Sequence, residues 1–243
     1  MSKKKIISLS LVVIMIAILS FGTLAWFNDS DSVTNEFHVA DSNGDGTPDF
    51  SVSVTESTTD ENGEKPGTPN ADGGYSYDLL LPGDTLSKIV WTENTGDYDQ
   101  WVRVNITISD WSVWKKAIVK ALTAEGETDT GDANINDYVY TKLLDGFDRS
   151  LYLSKGYRND DTANDTRTYT LYYKDVVKPG DAFQVMQNVK IPGVLEQEDM
   201  NFGTDGFTIT VKAEAVQADN LKATSSVAAF EEVGWEIGTE YGA

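Results

Sequence analysis

The stretch Trp101-Val102-Arg103-Val104-Asn105-Ile106-Thr107-Ile108-Ser109 decides the fold. Val102, Val104, Ile106 and Ile108 fall on one face and Arg103, Asn105 and Thr107 on the other, a period of two that belongs to a strand with one face on a core. Outward from it the same grammar recurs. Asp49–Thr55 alternates with Phe50, Val52 and Val54, Thr85–Glu93 leads into the turn Asn94-Thr-Gly96-Asp97, and Phe207–Gln217 places Phe207, Ile209, Val211, Ala213 and Ala215 on one side. Further strands are expected over Asp137–Leu143, Ser150–Leu153, the aromatic run Arg167–Lys174, and Ala182–Ile191. Pro82-Gly83-Asp84 and Pro179-Gly180-Asp181 each precede a strand. Proline presets one turn dihedral and glycine supplies the positive one.

Two stretches read as helix. Asp110 is placed to cap a helix over Trp111–Ala124, with Trp114, Ile118, Val119 and Leu122 on a core-facing stripe and Lys115, Lys116 and Lys120 on a solvated one. A short helix over Thr224–Val233 stops at Gly234. Glu56–Gly74 and Glu125–Asn136 are polar loops, and Asn159–Asp165 is a solvated hairpin tip. About eight short strands with one inserted helix and a short C-terminal helix make an all-β protein, a two-sheet antiparallel sandwich of jelly-roll type. Residues 40–243 are expected to form it as one domain.

Composition narrows the function. The chain has 243 residues, no cysteine, one histidine (His38), and 39 acidic against 19 basic residues, for a formal charge of −20. Such a surface repels nucleic acid and anionic lipid, and suits an exported protein or one that collects divalent cations. Without cysteine an exported fold must rest on core burial, with or without bound metal, rather than on disulfides. A single histidine leaves no His-Glu-x-x-His pair and so no recognisable zinc-hydrolase site.

The N-terminus has the anatomy of a signal peptide. Lys3, Lys4 and Lys5 precede the apolar run Ile6–Phe21, which is short for a membrane span of roughly 20 residues. Thr23 and Ala25 put small side chains at the third and first positions before a scissile bond, so cleavage is expected between Ala25 and Trp26. The alternative is an uncleaved anchor. Cleavage would remove residues 1–25 with three lysines and no acid, leaving a charge of −23.

The next segment, Trp26–Val39, splits in two. Val33, Phe37 and Val39 alternate loosely and suit a strand. Trp26-Phe27 and the polar cluster behind them are less suited to packing within their own domain. Asp41-Ser-Asn43-Gly-Asp45-Gly46-Thr47-Pro-Asp49 then sets oxygen-bearing residues at every second place, with Gly46 after the third. That is the first half of a calcium loop, and calcium is the one expected ligand. Val52 stands where an EF-hand has its bidentate Glu, so the loop is closer to the short Asp-rich turns of dockerins and thrombospondin repeats. Otherwise it is a plain turn between strands.

Taken together, Gly22-Thr-Leu-Ala25 before Trp26-Phe-Asn-Asp29-Ser-Asp31, Leu81-Pro-Gly-Asp84-Thr-Leu-Ser-Lys88, Asn94-Thr-Gly96, Val102-Arg-Val104, Tyr172-Tyr-Lys174 before Pro179-Gly-Asp181, Ile191-Pro-Gly193 and Ala213-Glu-Ala-Val-Gln217 resemble the TasA/camelysin family. The Asp41–Asp49 insertion departs from it. The resemblance implies export in a Gram-positive bacterium, processing by a SipW-type signal peptidase, and a jelly-roll subunit of extracellular biofilm-matrix fibres. It further implies that the freed N-terminal segment adds as a strand to a neighbouring copy or paralogue. Trp26, Phe27, Val33, Phe37 and Val39 would then be the donor-strand residues, secreted to the matrix or cell surface, with membrane contact only through the signal peptide. The same segment could instead fold back on its own sheet. Two other functions stay open: a camelysin-like cell-surface metallopeptidase, which the lone histidine disfavours, and a calcium-dependent surface adhesin. No sortase-type Leu-Pro-x-Thr-Gly motif is present.

Overall fold

The strand that opened the sequence reading lies in the interior of the larger of two antiparallel sheets. A computed structural model of the chain describes residues 28–32, 50–69, 74–77, 80–202, 207–219 and 221–241. Its strands are β1 (Asn28–Ser32), β2 (Val52–Ser57), β3 (Thr68–Pro69), β4 (Tyr75–Ser76), β5 (Thr85–Asn94) and β6 (Gln100–Ile108). They continue with β7 (Leu144–Asp145), β8 (Gly156–Asp161), β9 (Thr166–Tyr172), β10 (Ala182–Lys190), β11 (Ile209–Gln217) and β12 (Thr239–Tyr241). One sheet runs β1-β11-β6-β9-β8-β12, the other β2-β5-β10-β7, and β3-β4 is a separate small ribbon. The architecture is an all-β two-sheet antiparallel sandwich.

Alternation drives the packing. Val102, Val104, Ile106 and Ile108 of β6 are fully buried, and so are Val52, Val90 and Val185 from the facing sheet. Both Pro-Gly-Asp turns form as expected. Gly83 and Gly180 have φ of 89° and 76°, values that favour glycine. The carboxylates of Asp84 and Asp181 accept from the backbone N–H groups of Leu81 and Lys178, closing each turn on itself.

Helix α1 (Trp111–Ala124) forms over the expected residues, with Trp111, Trp114, Ala117, Ile118, Ala121 and Leu122 buried. Its N-terminal cap differs from expectation. Asp110 sits in the left-handed region and makes no capping bond. Asp165 caps the helix instead, accepting from the Ser112 N–H at 2.9 Å and the Ser112 hydroxyl at 2.7 Å. Lys115 and Lys116 are exposed as expected, while Lys120 reaches Asp199 at 2.6 Å.

Residues 137–143 are a second correction. They read as a strand because Tyr, Val and Thr favour pleated surfaces. They fold instead as the end of helix α2 (Asp132–Tyr138) and a π-helical turn over Val139–Leu143. Ile135, Tyr138, Val139 and Leu143 are buried at helical spacing, so packing overrode propensity. The region 150–153 is likewise a 3-10 turn (Arg149–Leu151) followed by an isolated bridge at Tyr152. The expected tip at residues 159–165 shrinks, because β8 extends to Asp161.

The short C-terminal helix α3 (Ser226–Glu232) ends where expected, at Gly234 with φ 82°. It covers the face of the large sheet opposite the main core. There Phe230 and Ala229 bury Trp101, Tyr172 and Val216 in a second apolar cluster. Among the described residues no helix is long and apolar enough to cross a membrane.

Candidate functional site

The candidate site is the edge of the large sheet that pairs with part of the N-terminal segment. β11 is sandwiched on three sides. Ile209, Val211, Ala213 and Ala215 point into the main core, β6 pairs with it along its whole length, and Glu214 and Val216 are buried beneath the C-terminal segment. Only its outer edge is left to bond, and β1 occupies part of that edge.

The register is antiparallel and unbroken, pairing Asn28 with Val216, Asp29 with Ala215, Ser30 with Glu214, Asp31 with Ala213 and Ser32 with Lys212. β1 also runs alongside β2, closing the sandwich on that side. The expectation that this polar half of Trp26–Val39 stays away from its own domain is therefore corrected. The physical reason is that an open strand edge bonds through main-chain N–H and C=O groups, so a segment reading Asn-Asp-Ser-Asp-Ser docks without any apolar side chain.

β11 is made rigid from its outer face. Glu214 accepts from Arg103 Nε at 2.6 Å, from Asn105 Nδ2 at 2.9 Å and from Lys212 Nζ at 2.9 Å. Arg103 also donates to the Glu236 carbonyl at 2.7 Å and to the Tyr172 hydroxyl at 3.1 Å. Its guanidinium lies 4.6 Å from the Phe230 ring centre and 4.7 Å from that of Trp235. Burial disfavours the Glu214 carboxylate, but Arg103 and Lys212 outweigh it and hold the group below its usual range. A buried pair tied into a network of this kind specifies one arrangement of the strand more than it adds net stability. Sequence alone placed Arg103 on the outward face of β6; it carried no signal that Glu214, more than a hundred residues later, would lie against it.

Asp41, Asn43, Asp45, Thr47 and Asp49, the candidate calcium ligands, lie outside the described residues. So do Ala25 and Trp26 at the expected cleavage site, and Phe27, Val33, Phe37 and Val39 of the donor segment. Among the described residues no group of three or more His, Cys, Asp or Glu side chains could hold a metal ion. The chain was compared with protein-family models, with curated proteins and with solved structures, and none matches.

Proposed function

We propose that this chain is an exported structural subunit that assembles into extracellular fibres by exchanging its N-terminal strand, as the resemblance to the TasA/camelysin family implies. The observation that carries the proposal is the pairing of Asn28–Ser32 with the edge of β11. A strand that completes its own sheet in one copy can complete the same sheet in the next. The contacts are identical, so the exchange costs little beyond association. Nineteen residues, 33–51, connect β1 to β2. Extended, they could reach about 60 Å, enough to cross to a neighbouring subunit. Donation from one copy to the next does not close on itself, and so produces filaments rather than dimers.

In this reading a SipW-type signal peptidase cuts between Ala25 and Trp26, and the segment Trp26–Val39 is released to act. The partner is another copy of the chain or a paralogue. The role is structural rather than catalytic, which the single histidine in the sequence supports. Calcium held by Asp41–Asp49 would stiffen the connection between donor and acceptor.

The test is negative-stain microscopy of the chain beginning at Trp26 beside one beginning at Ala40. Filaments from the first and monomers from the second are expected. Monomers from both, at every protein and calcium concentration, would overturn the proposal and leave β1 as a permanent edge strand of its own subunit.

A further inference from the structure

At the opposite side of the large sheet from β1, the inserted helical segment and the C-terminal strand enclose a cleft of about 380 Å3. That is near the lower end of the roughly 300–1,000 Å3 common for small-molecule sites. Its lining comes from α2, the π-helical turn, the loop after β7 and Tyr241 of β12. Tyr140, Phe147 and Tyr241 supply its aromatic part, with the Tyr140 and Phe147 rings stacked at 5.1 Å. Asn136, Asp137 and Arg149 supply the polar part.

Asn136 is the informative residue. It is only 3% exposed. Its Oδ1 accepts from Arg167 Nη1 at 3.3 Å and from the Tyr169 hydroxyl at 3.1 Å, which fixes the amide orientation. Its Nδ2 is left with no acceptor among the described residues. A buried donor without a partner costs about 1–3 kcal/mol, and a cleft beside it is the place from which an acceptor can come.

We propose that this cleft binds a neutral saccharide unit. Tyr140, Phe147 and Tyr241 give the cleft an apolar wall for the C–H side of a sugar ring, with Phe147 already stacked between Tyr140 and Tyr152. The Asn136 amide nitrogen is a donor and the Asp137 carboxylate an acceptor, a mixed pair that hydroxyl groups, which both donate and accept, can satisfy together. An anion fits less well. Asp137 and Asp145 both line the cleft, the protein carries a net charge of −20, and Arg149 is already turned to the backbone carbonyls of Leu153 and Ser154. The inference is independent of fibre assembly, because β12 lies at the opposite edge of the large sheet from the strand that would be exchanged.

Saturation-transfer NMR and calorimetric titration of the purified chain test it with glucose, galactose, N-acetylglucosamine, cellobiose and maltose. Glucuronate serves as the anionic comparison and a Gly-Ser-Gly tripeptide as the peptide alternative. Saturable millimolar binding of at least one neutral sugar is expected, stronger than that of glucuronate or the tripeptide. Asp137→Ala removes an exposed side chain and leaves the core untouched, and it should weaken binding about tenfold. Phe147→Ala should abolish the aromatic part of the transfer signal, with far-UV circular dichroism reporting whether the fold persists. No binding of any of the five sugars, tighter binding of glucuronate or the tripeptide, or affinity unchanged in Asp137→Ala would each overturn the proposal.

Discussion

The two outer edges of the large sheet are both closed by chain-terminal segments, and they are closed in different ways. β1 lies on β11 over five residues whose sequence, Asn-Asp-Ser-Asp-Ser, contains no apolar side chain. β12 lies on β8 over only three residues, but it is pinned. Tyr241 packs against Tyr140 and Tyr169, its hydroxyl meets that of Tyr140, and Glu240 pairs with Lys155 at 2.8 Å. Ordering five backbone residues costs about 1–2 kcal/mol each, and main-chain hydrogen bonds return a comparable amount, so the polar strand contributes close to nothing to the stability of its own subunit. Burial of an aromatic ring at the other edge tips the balance firmly toward attachment. A terminus whose sequence offers no apolar anchor is the more exchangeable of the two; one held by a ring is the more fixed.

The largest effect expected from this contrast is on covalent trapping. The chain has no cysteine of its own, so Ser32→Cys with Lys212→Cys places two thiols on directly paired residues. Oxidation of the unassembled chain should give a monomer on a non-reducing gel, whereas oxidation of assembled filaments should give a ladder of multimers. Monomers alone from filaments would show that the strand never leaves home.

Next in size is the loss of the network that stiffens β11. Glu214→Ala leaves Arg103 buried without its carboxylate and should destabilise by about 3–5 kcal/mol, lowering Tm by roughly 10 °C. Tyr241→Ala, at the opposite edge, should cost about 2 kcal/mol in thermal or denaturant unfolding. Removal of residues 26–39 should change the same measurement by less than about 1 kcal/mol, while the proposed assembly should be lost. If the two edges proved equally costly to lose, the distinction between an exchangeable and a fixed terminus would fail.

Acid should act on both edges, unequally. Near β11, Arg103 and Lys212 overcome burial to hold Glu214 below its ordinary value of 4.5. Near β8, burial of Asp132 is likewise outweighed by Arg158, at 2.8 Å, which holds it below 3.8. A depressed carboxylate contributes stability that is complete above its unfolded value and disappears as pH falls through the folded one. Unfolding midpoints should therefore be flat above about pH 5 and decline below it. The decline should be smaller in Glu214→Gln than in Asp132→Asn, since Glu214 is the better shielded of the two.

The last effect is that of calcium. If Asp41–Asp49 binds the ion, a tenfold excess over Kd raises stability by about 1.4 kcal/mol, and Asp45→Ala removes that increment. An identical calcium response in both proteins would dismiss the loop as a ligand.

Much of the sandwich was legible because alternation is a local signal. β6 and β11 declare themselves through Val, Ile and Ala at every second position, and α1 through its stripe from Trp111 to Leu122. The failures have a common cause. Residues 137–143 carry strand-forming side chains whose helical burial depends on what they meet, not on what they are. β8 looks like a loop because Asn159, Asp160 and Asp161 are polar, and it is a strand because Asp160 meets Arg167 on β9, with the Arg167 Nε at 2.5 Å. The candidate site divides in the same way. The strand reading fell on Val33, Phe37 and Val39, outside the described residues, whereas the strand that forms, Asn28–Ser32, lies in the polar half, where no alternation announced it or named β11 as its partner. The saccharide cleft, assembled from residues near 140 and from Tyr241, left no trace in either stretch alone.

The Asp165 cap carries a consequence for how the molecule forms. Helix α1 begins directly after β6, yet the carboxylate that holds its first turn arrives 53 residues later, at the tip of the β8–β9 hairpin. A first helical turn is the expensive one to make, so this helix cannot be secured early by its own neighbours. It must wait for a distant hairpin to close. That ties a local element to slow, long-range pairing, and places the insertion among the last parts of the chain to become firm during folding.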